Sequence, residues 1–156
     1  MNLDRSAVVL LAEDNDDDVF LMKRAFERAR ILSRLCVVRD GVEAMDYLQG
    51  TGQFSDRSRY PLPCLCLLDI KMPKMNGFDV LRQIREHPAT RRLPVVFLTS
   101  SNQRCDIDQA YDLGANSYLV KPPDADSLHA MLQSLQGYWF SMNELPQYPQ
   151  EEESIS

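Results

Sequence analysis

Residues 64–77 read CLCLLDIKMPKMNG, and the order of side chains in this stretch decides the fold. The first five residues, Cys64 to Leu68, form an apolar run of strand length with no polar position for water to meet. Such a run suits a strand covered on both faces of a parallel sheet. The run stops abruptly at an acid, Asp69, and helical spacing takes over at Gly77, with Phe78, Leu81 and Ile84 on one side and Pro88 barring continuation. Cys64 and Cys66 alternate within the run, which places them on the same side of the strand as small reduced core residues. With Cys36 and Cys105 they form no C-x-x-C pair, which speaks against metal or redox roles.

Outward in both directions the same alternation repeats. Ala7–Ala12 is a strand, followed by a helix capped by Asn15 or Asp16 with Val19, Met22, Phe26 and Ala29 inward. Asp16, Asp17 and Asp18 read as its solvated first turn, favourably placed at the positive end of the helix. Leu35–Val38 is a strand, Val42 to Leu48 a short helix, and Gly50–Pro63 a polar surface loop. Beyond the third helix, Pro94–Leu98 is a strand ending in Thr99. A fourth helix follows, capped by Asn102, with Ile107, Ala110 and Leu113 on one face and Gly114 as its stop. Ser117–Val120 is a strand ending in Lys121, and a last helix from Asp124 carries Leu128, Met131, Leu132, Leu135 and Trp139.

Five strands alternating with five helices predict an α/β, doubly wound, five-stranded parallel sheet with helices on both faces, in the flavodoxin-like order 2-1-3-4-5. The 156 residues suffice for one domain, expected over residues 1–142, with 143–156 as a partly disordered, proline- and glutamate-containing tail. The net charge of -6 disfavours nucleic acid and anionic membranes as partners. No run approaches a membrane span and Met1–Ala7 shows no signal-peptide pattern, so a cytoplasmic location is expected.

Sites on an open parallel sheet form at the carboxyl ends of the strands. Those ends supply Glu13 and Asp14, Asp69, Thr99 and Lys121. Converging carboxylates repel unless a hard cation sits among them, and Mg²⁺ suits such a site together with phosphate oxygens. A carboxylate can act as nucleophile to form an aspartyl-phosphate, with a lysine and a hydroxyl stabilising the phosphoryl oxygens.

Glu13-Asp14-Asn15, the run from Leu68 to Gly77, Thr99-Ser100 and Lys121-Pro122 closely resemble the receiver domains of two-component response regulators, over residues 6 to 140. The resemblance implies that Asp69 is the phosphoacceptor and that Asp14, Asp69 and the backbone carbonyl of Lys71 bind Mg²⁺, with Glu13 acting through water. Thr99 and Lys121 would contact the phosphoryl group. Tyr118 falls at the aromatic switch position, although an aromatic in a strand also serves plain packing. The Lys121–Pro122 bond is implied to be cis. Asn76, where an aspartate is common, and Pro123 after Pro122 depart from the pattern outside the pocket. The loop Gly50–Pro63 and the end Tyr138 to Pro146 are similar to stand-alone regulators partnered with bacterial phytochrome kinases.

The expected function is therefore a signalling protein, not an enzyme. It would take its phosphoryl group from a sensor histidine kinase, promote its own phosphorylation and dephosphorylation, and signal through altered contacts. Alternatives are a relay to a histidine phosphotransfer protein and a Mg²⁺-dependent phosphohydrolase. The latter lacks a general acid, because Lys71 occupies the position where a second aspartate commonly serves. A flavin carrier of the same topology would need a phosphate-cradling loop where the chain has 13–18, EDNDDD. A receiver-like module acting by binding alone is the remaining alternative, opposed by the intact pocket residues. A homodimer or partner surface is expected on the fourth helix, fifth strand and fifth helix, with Trp139 and Phe140 as interface anchors, since consecutive aromatics on a helix cannot all face one core. A fold-back of Leu145-Pro146 over these rings is the competing arrangement.

Overall fold

The apolar run at 65–68 becomes the middle of the sheet because both of its faces find cover. In the computed structural model, which describes residues 7–147, β3 (Leu65–Leu68) lies between β1 (Val8–Ala12) and β4 (Val95–Thr99). The strands β2 (Arg34–Val38) and β5 (Ser117–Val120) form the edges, giving the all-parallel order β2-β1-β3-β4-β5. Every residue of β1, β3 and β4 is buried, whereas β2 and β5 carry half-buried and exposed positions. That is the burial contrast expected between interior and edge strands of a sheet covered on both faces.

Period-2 alternation sends Cys66 and Leu68 to one face and Leu65 and Leu67 to the other. The first face is covered by α2 (Gly41–Gln49), α3 (Gly77–Glu86) and α4 (Arg104–Asp112). The second is covered by α1 (Asp16–Arg28) and α5 (Ala125–Leu135). Asn15, Asp40, Asn76 and Asp124 cap α1, α2, α3 and α5, each side chain accepting from the N–H three residues on. Among the described residues no helix is long and apolar enough to cross a membrane.

Several local expectations are corrected. Cys64 does not share a face with Cys66. It precedes β3, packs against the opposite cluster, and its thiol donates to the Val8 carbonyl at 3.3 Å, because alternation holds only inside the ladder. The cap of α4 is Gln103, one residue later than Asn102, and Gln103 makes no side-chain capping bond. The Lys121–Pro122 bond is trans, the ordinary preference of an X–Pro amide; the described residues contain no cis peptide.

The segment Gly50–Pro63 is not a plain surface loop. It turns through a short 3-10 helix, Gly52–Phe54, and buries Phe54 against Tyr47 and Tyr60, with ring centroids 5.0 and 5.1 Å away. The Arg57 guanidinium donates to the carbonyls of Tyr47 at 2.7 Å and Leu48 at 2.6 Å, adding to the cap at the end of α2. The polar composition of the loop concealed this staple.

After α5 the chain widens into one turn of π-helix, Gln136–Phe140. The turn separates the three aromatics: Phe140 enters the core under α1 and α5, Trp139 is half-buried against it, and Tyr138 is exposed. Asn143 and Pro146 share a cleft with Tyr138 and Trp139, so the described part of the tail lies beside these rings. Expected disorder at the end of the tail falls on residues 148–156, which lie outside the described residues.

Gly77 joins the fold to the site. A Cβ there would stand 2.2 Å from the Asp69 carbonyl oxygen and 2.9 Å from the Phe97 ring, both buried and neither free to retreat. Gly77→Ala is expected to destabilise the protein by about 2–3 kcal/mol. That corresponds to a fall of roughly 5–10 °C in melting temperature. A melting curve that does not move would show that the β3–α3 junction yields.

Candidate functional site

Parallel strands deliver their carboxyl ends to one edge, and here the backbone ladder runs one residue beyond the strands. The N–H of Glu13 donates to Val38 O at 3.0 Å, that of Asp69 to Ala12 O at 3.1 Å, and that of Lys121 to Thr99 O at 2.8 Å. The sheet itself therefore fixes where these side chains begin.

The structure brings all five expected pocket residues to this edge. One carboxylate oxygen each from Glu13, Asp14 and Asp69 lie within 4.8 Å of one another. Glu13 is only 2% exposed and Asp69 8%, while Asp14 faces solvent. Three oxygen donors at this spacing, two of them buried, fit a hard divalent cation. Lys71 is exposed and lines, with Asp69, Thr99 and Asp106, a cleft of about 300 Å³. Thr99 is buried, and its hydroxyl accepts weakly from the Ser101 N–H at 3.4 Å. Asp69 Oδ1 accepts from the Ile70 N–H at 2.8 Å.

Lys121 Nζ donates to Glu13 Oε2 at 2.5 Å, to Asp18 Oδ2 at 2.9 Å and to Asp69 Oδ2 at 3.2 Å. An ammonium has three hydrogens, and three carboxylates take them. Asp18 belongs to the site, correcting its assignment to a solvated turn. Its neighbour Asp16 pairs with Arg39 instead. The available signal was positional, since the third residue of a helix that follows a strand end stands over the same sheet edge.

Burial pushes the Glu13 carboxyl up to about 7; the Lys121 hydrogen bond opposes the rise and the Asp69 charge adds to it. Burial alone would lower Lys121, but its hydrogen bonds to Glu13 and Asp18 and the charge of Asp69 hold the ammonium above its ordinary range. In a simple ion pair the acid would fall as the base rises. Here both rise, because burial outweighs the Lys121 hydrogen bond at Glu13 while several carboxylates hold the single ammonium.

The structure shows the packing role of Tyr118. Its ring packs 6.0 Å from that of Phe97, and its hydroxyl donates to the Ser101 carbonyl at 2.8 Å, bracing the β4–α4 loop. The Ser101 hydroxyl in turn donates to Asp106 at 2.6 Å.

A doubly wound sheet with this acid cluster and a lysine at the last strand end is the architecture of receiver domains, and the chain belongs to that family. The family described as "Response regulator receiver domain" matches residues 9–133. The response regulator Rcp1 of Synechocystis sp. is 36% identical over 139 residues, covering 89% of this chain and 92% of Rcp1. The solved Mn(2+)-bound form of Rcp1 superposes with a TM-score of 0.81 at 35% identity, over 90% of this chain and 99% of that one. Response regulator RPA3017, from red light signaling of R. palustris, gives 0.86 at 37% identity with the same coverage. The phosphorylated cyanobacterial phytochrome response regulator RcpA gives 0.83 at 34%, again over 90% and 99%.

The elevated Glu13 gives a signed pH effect. A group whose carboxyl is raised from 4.5 to about 7 on folding favours the folded state at low pH and loses that contribution as pH rises from 4.5 through 7. In chelator, Glu13→Gln is expected to flatten the fall in melting temperature across this window, and Asp69→Asn to raise the melting temperature at pH 8. A pH profile identical to wild type in Glu13→Gln would show that the buried Glu13 carboxyl does not govern the pH dependence of the apo protein.

Proposed function

We propose that this chain is a response regulator that accepts a phosphoryl group on Asp69 from the phosphohistidine of a sensor histidine kinase. The observation that carries the reading is Lys121 Nζ standing 3.2 Å from Asp69 Oδ2, with the Thr99 hydroxyl on the same cleft. A carboxylate oxygen of Asp69 attacks phosphorus, the O–P bond forms as the P–N bond to histidine breaks, and the imidazole nitrogen leaves and takes up a proton. Lys121 donates to one phosphoryl oxygen and Thr99 to another, which supplies positioning and charge stabilisation. Asp14, Asp69 and the Lys71 carbonyl would hold Mg²⁺, with Glu13 acting through water. The cation would neutralise the charge of the incoming group. The manganese-bound Rcp1 and the phosphorylated RcpA support both parts of this reading. Likeness to the phytochrome response regulator RcpA supports a phytochrome as the kinase, and we place the reaction in the cytoplasm.

Acetyl phosphate with Mg²⁺ is expected to add one phosphoryl group, and Asp69→Asn to abolish labelling. Lys121→Ala should slow it roughly a hundredfold or more. Intact-mass spectrometry decides, and undiminished labelling of Asp69→Asn would refute the assignment.

We further propose that α4, β5 and α5 form the output surface for a second copy or a partner. The helix α4 rests on the sheet through one fully buried side chain, Ala110, while Tyr111 and Val120 are exposed on this face. With Phe140 committed to the core, Trp139 and the exposed Tyr138 remain as candidate anchors. Sedimentation with and without beryllofluoride should show association that Val120→Asp weakens. A monomer under every condition, with unaltered kinase binding by Val120→Asp, would remove this surface from the mechanism.

A further inference from the structure

We propose that Asp18 is a positioning residue that holds Lys121 towards α1 in competition with the phosphoryl group, and so sets how tightly the phosphorylated state is held. The proposal rests on the phosphoacceptor reading of Asp69 and deepens it.

Asp18 is the third residue of α1, and an acidic side chain at that position ordinarily reaches back to the N–H of the capping residue. Here the N–H of Asn15 donates instead to Glu13 Oε1 at 3.1 Å, while Asn15 Oδ1 accepts from the Asp18 N–H at 3.0 Å. Half of the reciprocal cap is made, and the other half is taken over by a pocket residue. The Asp18 carboxylate is thereby released to cross the site edge, where Oδ2 lies 2.9 Å from Lys121 Nζ. That is nearer than the 3.2 Å to Asp69, the residue Lys121 is expected to serve.

All three ammonium donors are thus occupied before any phosphoryl group arrives. A phosphoryl oxygen on Asp69 needs one of them. Glu13 is a poor candidate to yield, since it is buried, bonded at 2.5 Å, and tied on its other oxygen to Asn15. Asp18 is 37% exposed and water can replace its half of the bond, so, beside the longer 3.2 Å bond to Asp69 itself, it is the contact that competes with the phosphoryl oxygens for Lys121. The Asp18 contact therefore stabilises the unphosphorylated arrangement and opposes the phosphorylated one. It also ties the first turn of α1 to the β5–α5 junction until the exchange occurs. In the same turn Asp16 is paired with Arg39 and Asp17 is exposed, so the chain carries its own controls for charge alone.

The test is the affinity of the full chain for beryllofluoride at saturating Mg²⁺, followed by ¹⁹F NMR. Asp18→Ala is expected to bind roughly twofold to fivefold more tightly than wild type, the range open to a partly exposed ion pair. Asp17→Ala, which removes the same charge from the same turn, should bind as wild type does. In metal-free protein the ammonium protons of Lys121 should exchange with water faster in Asp18→Ala than in wild type and Asp17→Ala, a readout that loss of helix stability alone would not move. Equal or weaker binding by Asp18→Ala, an equal gain in Asp17→Ala, or unchanged ammonium exchange would each overturn the proposal. If wild type itself binds no beryllofluoride, the phosphoacceptor reading falls and this proposal with it. If wild type binds and only the Asp18→Ala effect is missing, the proposal alone falls.

Discussion

Everything at the functional edge is arranged around one ammonium set among an excess of acids. Lys121 Nζ engages Glu13, Asp18 and Asp69 at once, and Asp14 completes the negative cluster from the solvent side. Such a site has surplus negative charge and is partly dry, which is an unstable combination without a cation. The surplus makes the edge responsive. Under the proposed function, a divalent ion or a phosphoryl group would change the balance of charge, and the side chains that share Lys121 would redistribute.

The fold supplies the rigidity against which that redistribution works. The central strands are buried along their whole length, and the ladder continues to Glu13, Asp69 and Lys121. Gly77 lets α3 begin in contact with the Asp69 carbonyl, so β3 and its following helix are held as one piece. Softer parts surround this frame. The β4–α4 loop is braced by the Tyr118 hydroxyl and the Ser101–Asp106 bond, and α4 has little buried surface of its own. A change at Thr99 has a short path to the exposed face of α4 and β5 through a few breakable hydrogen bonds.

On the far side of β3, the Gly50–Pro63 segment shows how polar composition can conceal structure. Its arginine adds to the cap at the end of α2 and its phenylalanine completes an aromatic cluster with Tyr47 and Tyr60. The chain enters β3, and hence reaches Asp69, from an anchored segment.

Strand count, element order, the two-faced burial of 65–68 and the five pocket residues follow from the sequence by itself. Each depends on local periodicity or on a residue's place at a strand end, and parallel topology then converts distant positions into one edge. Where tertiary packing chose between locally equivalent options, the sequence was silent. Residue type does not separate Asp18 from Asp16 and Asp17; its place as third residue of α1 and the approach of Lys121, more than a hundred residues away in the chain, select it. Cys64 left the face of Cys66 because the paired residues of β3 begin only at Leu65 against β1 and at Cys66 against β4. Phe140 entered the core because a π-turn rotated it there, and Trp139 and Tyr138 were left outside as a consequence. Periodicity reports what each residue would bury, and the neighbouring elements decide which of the eligible residues does so.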